Sequence, residues 1–190
     1  KMKKCFLLFI TIYLPYNLFA LNIDPINKLN NGALLVRLQT NQNLINHYLQ
    51  LGEYKQAADE KEQQYKKNQD IIKFFEQEWT LCPVYFFYSN HSKEVKNNIL
   101  SNVFCHKNIK LTKEEQNRIK NNFLITYIGK NRGSLKFHCL ALVNQDFSPL
   151  PPPAPRYVRT YKGLWLLTRK LSKTIRILQK KIEFHLSRKI

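Results

Sequence analysis

The sequence predicts an α/β fold: a single domain on a mixed β-sheet, with a helical hairpin inserted after the first strand and a basic amphipathic helix at the C-terminus. Three observations carry this reading. Val84–Tyr88 is continuously apolar or aromatic, too short for an interior helix and rich in residues that suit a pleated surface buried on both sides. Ala33–Leu38 has the same character, and a long segment of helical period separates the two runs, the alternation of an α/β chain. With 44% hydrophobic and 13% aromatic residues in 190, the chain has enough apolar material for one domain with a real core and is not disordered.

The chain starts with Lys1, Lys3 and Lys4, an apolar run from Cys5 to Tyr13, the helix breaker Pro15, and Leu18-Phe19-Ala20 before a polar stretch. This is the layout of a secretory signal peptide over residues 1–20, with the domain occupying 21–190. The run is shorter than the about 18–20 apolar residues that cross a bilayer. An uncleaved anchor or a buried first helix is the competing reading. Export removes Cys5 and leaves Cys82, Cys105 and Cys139, which cannot all pair within one monomer. One disulfide with a free thiol, and three buried thiols, both fit. The absence of a C-x-x-C pair removes the nucleophile arrangement of a thioredoxin-type activity.

Asn30-Asn31-Gly32 introduces Ala33–Leu38 as the first strand, and Thr40 closes it as a helix N-cap. Asn41–Trp79 then reads as two helices broken at Gly52, the C′ position of the first arm. Leu44, Ile45, Tyr48 and Leu49 share one face of the first, and Tyr54, Ala58, Tyr65, Ile72, Phe75 and Trp79 one face of the second. The turn at Leu49–Tyr54 looks like that of a tetratricopeptide unit, an architecture that needs several stacked copies where the sequence has one. Val84–Tyr88 ends at a polar turn in which Asn90 and Ser92 offer N-cap oxygens to a helix over Lys93–Leu100. Asn102–Cys105 reads as a short strand, and Thr112 with Glu115 forms a capping box that opens a helix to Lys120.

Asn122–Ile128 and Ser134–Val143 are β-rich runs joined by a Gly-bounded loop, the pattern of a hairpin. Phe123, Ile125 and Tyr127 share a face with Leu135, Phe137, Cys139, Ala141 and Val143, and Lys136 and His138 mark the opposite face as the wetter. Pro149–Pro155 runs as a stiff polyproline crossing segment, and Arg156–Tyr161 returns to the sheet edge. The last helix begins near Gly163 and carries Leu164, Leu167, Leu171, Ile175, Leu178, Ile182 and Leu186 as one stripe.

The formal charge is +18, and residues 161–190 hold nine Lys or Arg against Glu183 alone. Such an excess serves solubility or attraction to an anionic surface. Lys outnumbers Arg 23 to 8, whereas phosphate recognition favours the planar, bidentate guanidinium. Nucleic acid is therefore not an expected partner; an envelope protein or an anionic surface is. For the terminal helix, either the stripe docks on the sheet with its charges in solvent, or the stripe enters a membrane interface while Arg169, Lys173, Arg176 and Lys180 meet headgroups.

Gly32-Ala-Leu-Leu-Val-Arg-Leu38, Cys82-Pro-Val-Tyr-Phe-Phe-Tyr-Ser89, Ala141-Leu-Val143 and Pro155-Arg-Tyr-Val-Arg159 together resemble an uncharacterised family of small exported Gram-negative bacterial proteins. The resemblance covers residues 32–160. It implies export from a bacterial cell and brings no catalytic residues.

No phosphate loop, nucleophile elbow, H-E-x-x-H helix or paired zinc spacing occurs, so no cofactor or metal is expected. The nearest constellation is what a parallel sheet gathers at its strand carboxyl ends, where open α/β folds bind ligands. Arg37, Ser89, Asn90, His91, Ser92 and His106 are the candidates there. The turn Ser89–Ser92 would hold an anion through backbone N–H groups, and Arg37 would pair with it or with a carboxylate. The leading reading is an exported, non-enzymatic binding or interaction protein; the alternative is a small-ligand binder or enzyme with an anion site at those strand ends.

Overall fold

The computed structural model describes residues 24–131, 136–161 and 168–188. The expected signal segment 1–20 lies outside them, as do Gly163, Leu164 and Leu167 of the expected last helix. Asp24 opens the described chain: its carboxylate accepts from the Ile26 N–H at 3.0 Å and caps a 3-10 turn at Pro25–Asn27. The one-turn helix α1 (Lys28–Asn31) follows. Gly32 is required next, because a Cβ there would lie 1.7 Å from the Asn122 carbonyl oxygen.

Five strands, β1 (Ala33–Leu38), β2 (Val84–Tyr88), β3 (Phe123–Lys130), β4 (His138–Val143) and β5 (Tyr157–Arg159), form one mixed sheet in the order β2-β1-β3-β4-β5. β1 runs parallel to both neighbours, with Val36 opposite Phe86 on one side and Thr126 on the other. β4 and β5 add antiparallel. Between β1 and β2 stand α2 (Gln42–Gln50) and α3 (Tyr54–Glu78), the expected hairpin, with Gly52 at φ 75 after the first arm. Between β2 and β3 come α4 (Ser92–Lys96) and α5 (Lys113–Ile119), and α6 (Leu171–Ser187) is last.

Both faces of the sheet are covered, which is why its central strands are mainly apolar on both sides rather than alternating. On one face Leu34, Val36, Phe86, Leu124, Leu140 and Leu142 meet Ile72 and Phe75 of α3 and Ile175, Leu178 and Ile182 of α6. On the other, Leu35, Phe87, Phe123, Ile125 and Cys139 meet Val95 of α4 and Ile119 of α5. The α6 stripe is thus docked: Ile175, Leu178 and Ile182 are fully buried, each stabilising by about 1.5–3 kcal/mol. Asp24 and His185, both buried, meet through a carboxylate–imidazole contact that fastens the start of the described chain to α6. Among the described residues no helix is long and apolar enough to cross a membrane.

Several local expectations are corrected. The second face of β3 and β4 is not the wetter one, because α6 and α3 cover Leu124, Leu140 and Leu142. Asn102–Cys105 is not a strand: Phe104 alone exchanges backbone hydrogen bonds of 2.8 and 2.9 Å with Phe86. It blunts the outer edge of β2. Thr40 is not the N-cap of α2; Asn41 is, at φ 48 and without a side-chain cap bond. The segment after β2 is a 3-10 turn (Ser89–His91) leading into the short α4, and neither Asn90 nor Ser92 caps it. Ser92 Oγ instead donates to the Ser89 carbonyl at 2.6 Å. Thr168–Lys170 precede the last helix in non-helical form, since the Arg169 N–H bonds the Thr160 carbonyl at 2.9 Å and keeps the chain beside β5.

The capping box holds: Thr112 Oγ1 accepts from the Glu115 N–H, and Glu115 accepts from the Thr112 N–H. The proline-rich stretch crosses the sheet with Leu150 and Ala154 buried, though by a turn in which the Ala154 N–H bonds the Pro151 carbonyl rather than as a straight rod. All three described cysteines are free thiols.

One mismatch of length shapes the molecule. The 25 residues of α3 span about 37 Å, whereas the six residues of β1 span about 20 Å. The second half of α3 packs on the sheet through Ile72 and Phe75; the first half projects past the carboxyl end of β1, with α2 laid against it. That is why Tyr54, Ala58 and Tyr65, expected on the buried face, are exposed there.

Candidate ligand-binding cleft

The buried stripe of α3 changes chemistry where the sheet ends. It runs Phe75, Ile72, Asn68, Gln64 and Ala57 toward the helix start, apolar over the sheet and then carboxamide. Asn68 Nδ2 donates at 2.8 Å to the carbonyl of Gln39, the residue after β1. Gln64 Nε2 donates to Asn68 Oδ1 at 3.0 Å, and Asn41 Nδ2 donates to Gln64 Oε1 at 2.8 Å and to Glu60 Oε1 at 2.7 Å. Gln64 and Asn68 are almost fully buried, so their polar atoms require these partners. The chain of amides pins the projecting half of α3 to the end of β1.

The two strands that meet there send the chain to opposite faces. After β1 it goes to the α3 face, and after β2 to the α4 face. Adjacent parallel strands with diverging connections leave a crevice outside their carboxyl ends, the position at which open α/β sheets take ligands. A hydrogen-bonded bridge crosses its base: Thr40 N–H donates to Ser89 Oγ at 3.1 Å, the Thr40 and Ser89 hydroxyls lie 2.9 Å apart, and Arg37 Nε donates to Ser92 Oγ at 2.9 Å. The costly charge near the end of a buried strand is therefore half-buried and partnered.

Three hollows meet at this point, and Gln39 lines all of them. One, of about 640 Å³, lies over Arg37, Thr40, Ser89 and Asn90. The second, about 580 Å³, runs between α2, α3 and the end of β2 past Ile45, Leu49, Tyr54, Lys61, Tyr65 and Tyr88. The third, about 620 Å³, opens toward β3 and β4, where Lys67, Asp70, His138, Thr160 and Arg169 line it over an apolar floor of Ile71, Phe74 and Ile128. The Gln39 carboxamide has no partner among the described residues. Burial raises the Tyr88 hydroxyl above the usual tyrosine range, and the neighbouring Tyr65 adds to the shift.

Of the residues singled out from sequence, Arg37, Ser89, Asn90 and Ser92 do come together. His91 sits beside them, its Nδ1 3.2 Å from both Glu94 Oε1 and Asn102 Nδ2. Asn102 Nδ2 also donates to Glu94 Oε2 at 2.7 Å, and this bond first, then the His91 contact, holds the Glu94 carboxyl below its usual range. His106 does not join the group. It stands 2.8 Å from both carboxylate oxygens of Glu76, two residues before α3 ends and so at the far end of the β1–β2 crossover.

The basic set is dispersed. Arg169 precedes α6, with Nη1 2.9 Å from the Arg159 carbonyl and its guanidinium over the Tyr161 ring. Arg176 makes a two-point contact with Glu78 and holds that carboxyl below its usual range. Lys173 and Lys180 lie on the outer face of α6. Gln39, Asn41, Gln64, Tyr54, Tyr65 and Tyr88 were not among the sequence candidates. The signal for Gln64 was a helical stripe that turned from Ile and Phe to Gln and Asn without ending.

Among the described residues no group of three or more His, Cys, Asp or Glu side chains is placed to hold a metal ion. No family model matches the chain, and neither a curated protein nor a solved structure matches it. The resemblance over residues 32–160 accordingly supplies no residue roles, and the functional reading rests on the geometry.

Proposed function

We propose that this is an exported, non-enzymatic binding protein that takes its ligand in the cleft at the carboxyl end of β1. The observation that carries the reading is the convergence of three hollows on Gln39, at the place where the connections of β1 and β2 diverge to opposite faces. The fixed amide chain below it favours a preformed site, which binds without a large ordering cost. Export rests on the layout of residues 1–20.

A second reading keeps one observation: Lys173 and Lys180 are exposed on a helix whose apolar stripe is already buried. These charges suit a salt-sensitive contact with an anionic surface, made without inserting α6.

Thermal denaturation against a panel of small metabolites, sugars and anions tests the cleft. A ligand at about 100 times its Kd raises stability by about 2.7 kcal/mol, and the gain is expected to disappear in Gln39→Ala and Asn90→Ala, whose own melting is unchanged. Ligand-dependent gains that survive both substitutions would place binding elsewhere. For export, intact mass of the periplasmic fraction of a Gram-negative host is expected to show a chain beginning at Leu21. A full-length chain confined to the membrane fraction would contradict it.

A further inference from the structure

We infer that the branch of the cleft between α2, α3 and the end of β2 is a glycan site, taking an oligosaccharide that is neutral or carries a single anionic group. The inference rests on the cleft being a binding site and adds the class of ligand.

A sugar presents two kinds of surface: apolar faces of C–H groups and a rim of hydroxyls that both donate and accept. Aromatic rings complement the first and carboxamides the second, since an amide offers two donors and an acceptor on one rigid plane. This branch supplies both. Tyr54 is 72% exposed and Tyr65 56% exposed, an arrangement that leaves large rings in water unless something covers them. Tyr88 stands half-buried beside them at the end of β2. Gln39, Gln42 and Asn90 share the same lining, and the Gln39 carboxamide has no partner among the described residues.

Charge argues in the same direction. The chain has 31 Lys and Arg and 13 Asp and Glu, yet the lining of this branch contains one cation, Lys61, and no carboxylate. A polyanion would find a single charge to neutralise. An apolar peptide helix would strip water from the carboxamides and leave them unpaired. A polyhydroxylated ligand meets neither penalty. The walls also hold still, because the Asn41–Gln64–Asn68 chain fixes the α3 side and the Thr40–Ser89 bonds fix the strand side.

The test is a glycan array of neutral and singly sialylated oligosaccharides with the full chain, followed by titration calorimetry of the strongest hit. Binding is expected to weaken about tenfold or more in Tyr54→Ala and in Tyr65→Ala, and to persist in Tyr54→Phe, which keeps the ring. Both tyrosines are exposed, so unchanged melting is the control for folding. An array without saturable hits, or affinity that both alanine substitutions leave intact, overturns the inference. Titration with inorganic phosphate and adenosine monophosphate separates the two claims. If these probes bind in a manner that Gln39→Ala abolishes while sugars do not bind, the glycan class falls and the cleft stands. If no sugar binds and Gln39→Ala leaves the titrations of both probes unchanged, both fall.

Discussion

Asn68 is the residue on which the cleft depends most. It is 4% exposed and gives one hydrogen bond to the Gln39 carbonyl while accepting another from Gln64. Asn68→Ala leaves a buried donor and a buried acceptor without partners and is expected to cost about 1–3 kcal/mol in urea denaturation. A loss below about 0.5 kcal/mol, the range of ordinary surface substitutions, would mean that the amide chain does not fasten α3. Cys139 offers a residue-scale check on the other face of the sheet. Burial pushes its thiol up from 9.0 to about 11, so it stays protonated and unreactive where an unperturbed thiol ionises. Mass-resolved alkylation of the folded protein is expected to modify Cys105 and Cys82 before Cys139, and Cys139 only near pH 11. The same shift means that its contribution to stability is full below pH 9.0 and is lost as pH rises toward about 11.

At the scale of elements, α3 is one helix with two jobs. Its second half is held by the sheet and by α6; its first half is held by α2 and the amide chain. Hydrogen exchange is therefore expected to be fastest in residues 42–63 and slowest in 69–78, with the boundary near Asn68. Uniform protection along α3 would contradict the division. The strands, the hairpin with Gly52, the capping box and the docking of the last stripe were legible in the sequence, because each is fixed by local pattern and short-range chemistry. The start of α6 was not. The period puts the last helix near Gly163, whereas Thr168–Lys170 are non-helical, with the Arg169 N–H bonded to the Thr160 carbonyl, and α6 begins at Leu171. The exposure of Tyr54 and Tyr65 was illegible for a different reason. Periodicity tells which side of a helix is apolar, and it does not tell where the sheet beneath that helix ends.

For the whole molecule, half of the candidate site could be read from sequence. Arg37 and the Ser89–Ser92 turn follow from knowing that ligands gather at the carboxyl ends of parallel strands. The α3 wall depends on how far that helix projects, which no single stretch encodes. The same assembly changes the meaning of the net charge of +18. The stripe of α6 is spent on the core, Arg176 is engaged by Glu78, and Arg169 faces the cleft. Among the described residues the basic side chains of this segment are thus dispersed, and the apolar stripe of α6 lies in the core.

The most direct measurement is the map of backbone amide shifts of the 15N-labelled protein on adding the strongest array ligand. Shifts concentrated at Gln39–Gln42, Ala57–Tyr65 and Tyr88–Asn90, with α6 silent, are the result predicted. Shifts confined to Lys173, Lys180 and their neighbours, with Gln39 unmoved, would contradict the cleft and make the basic face the binding surface.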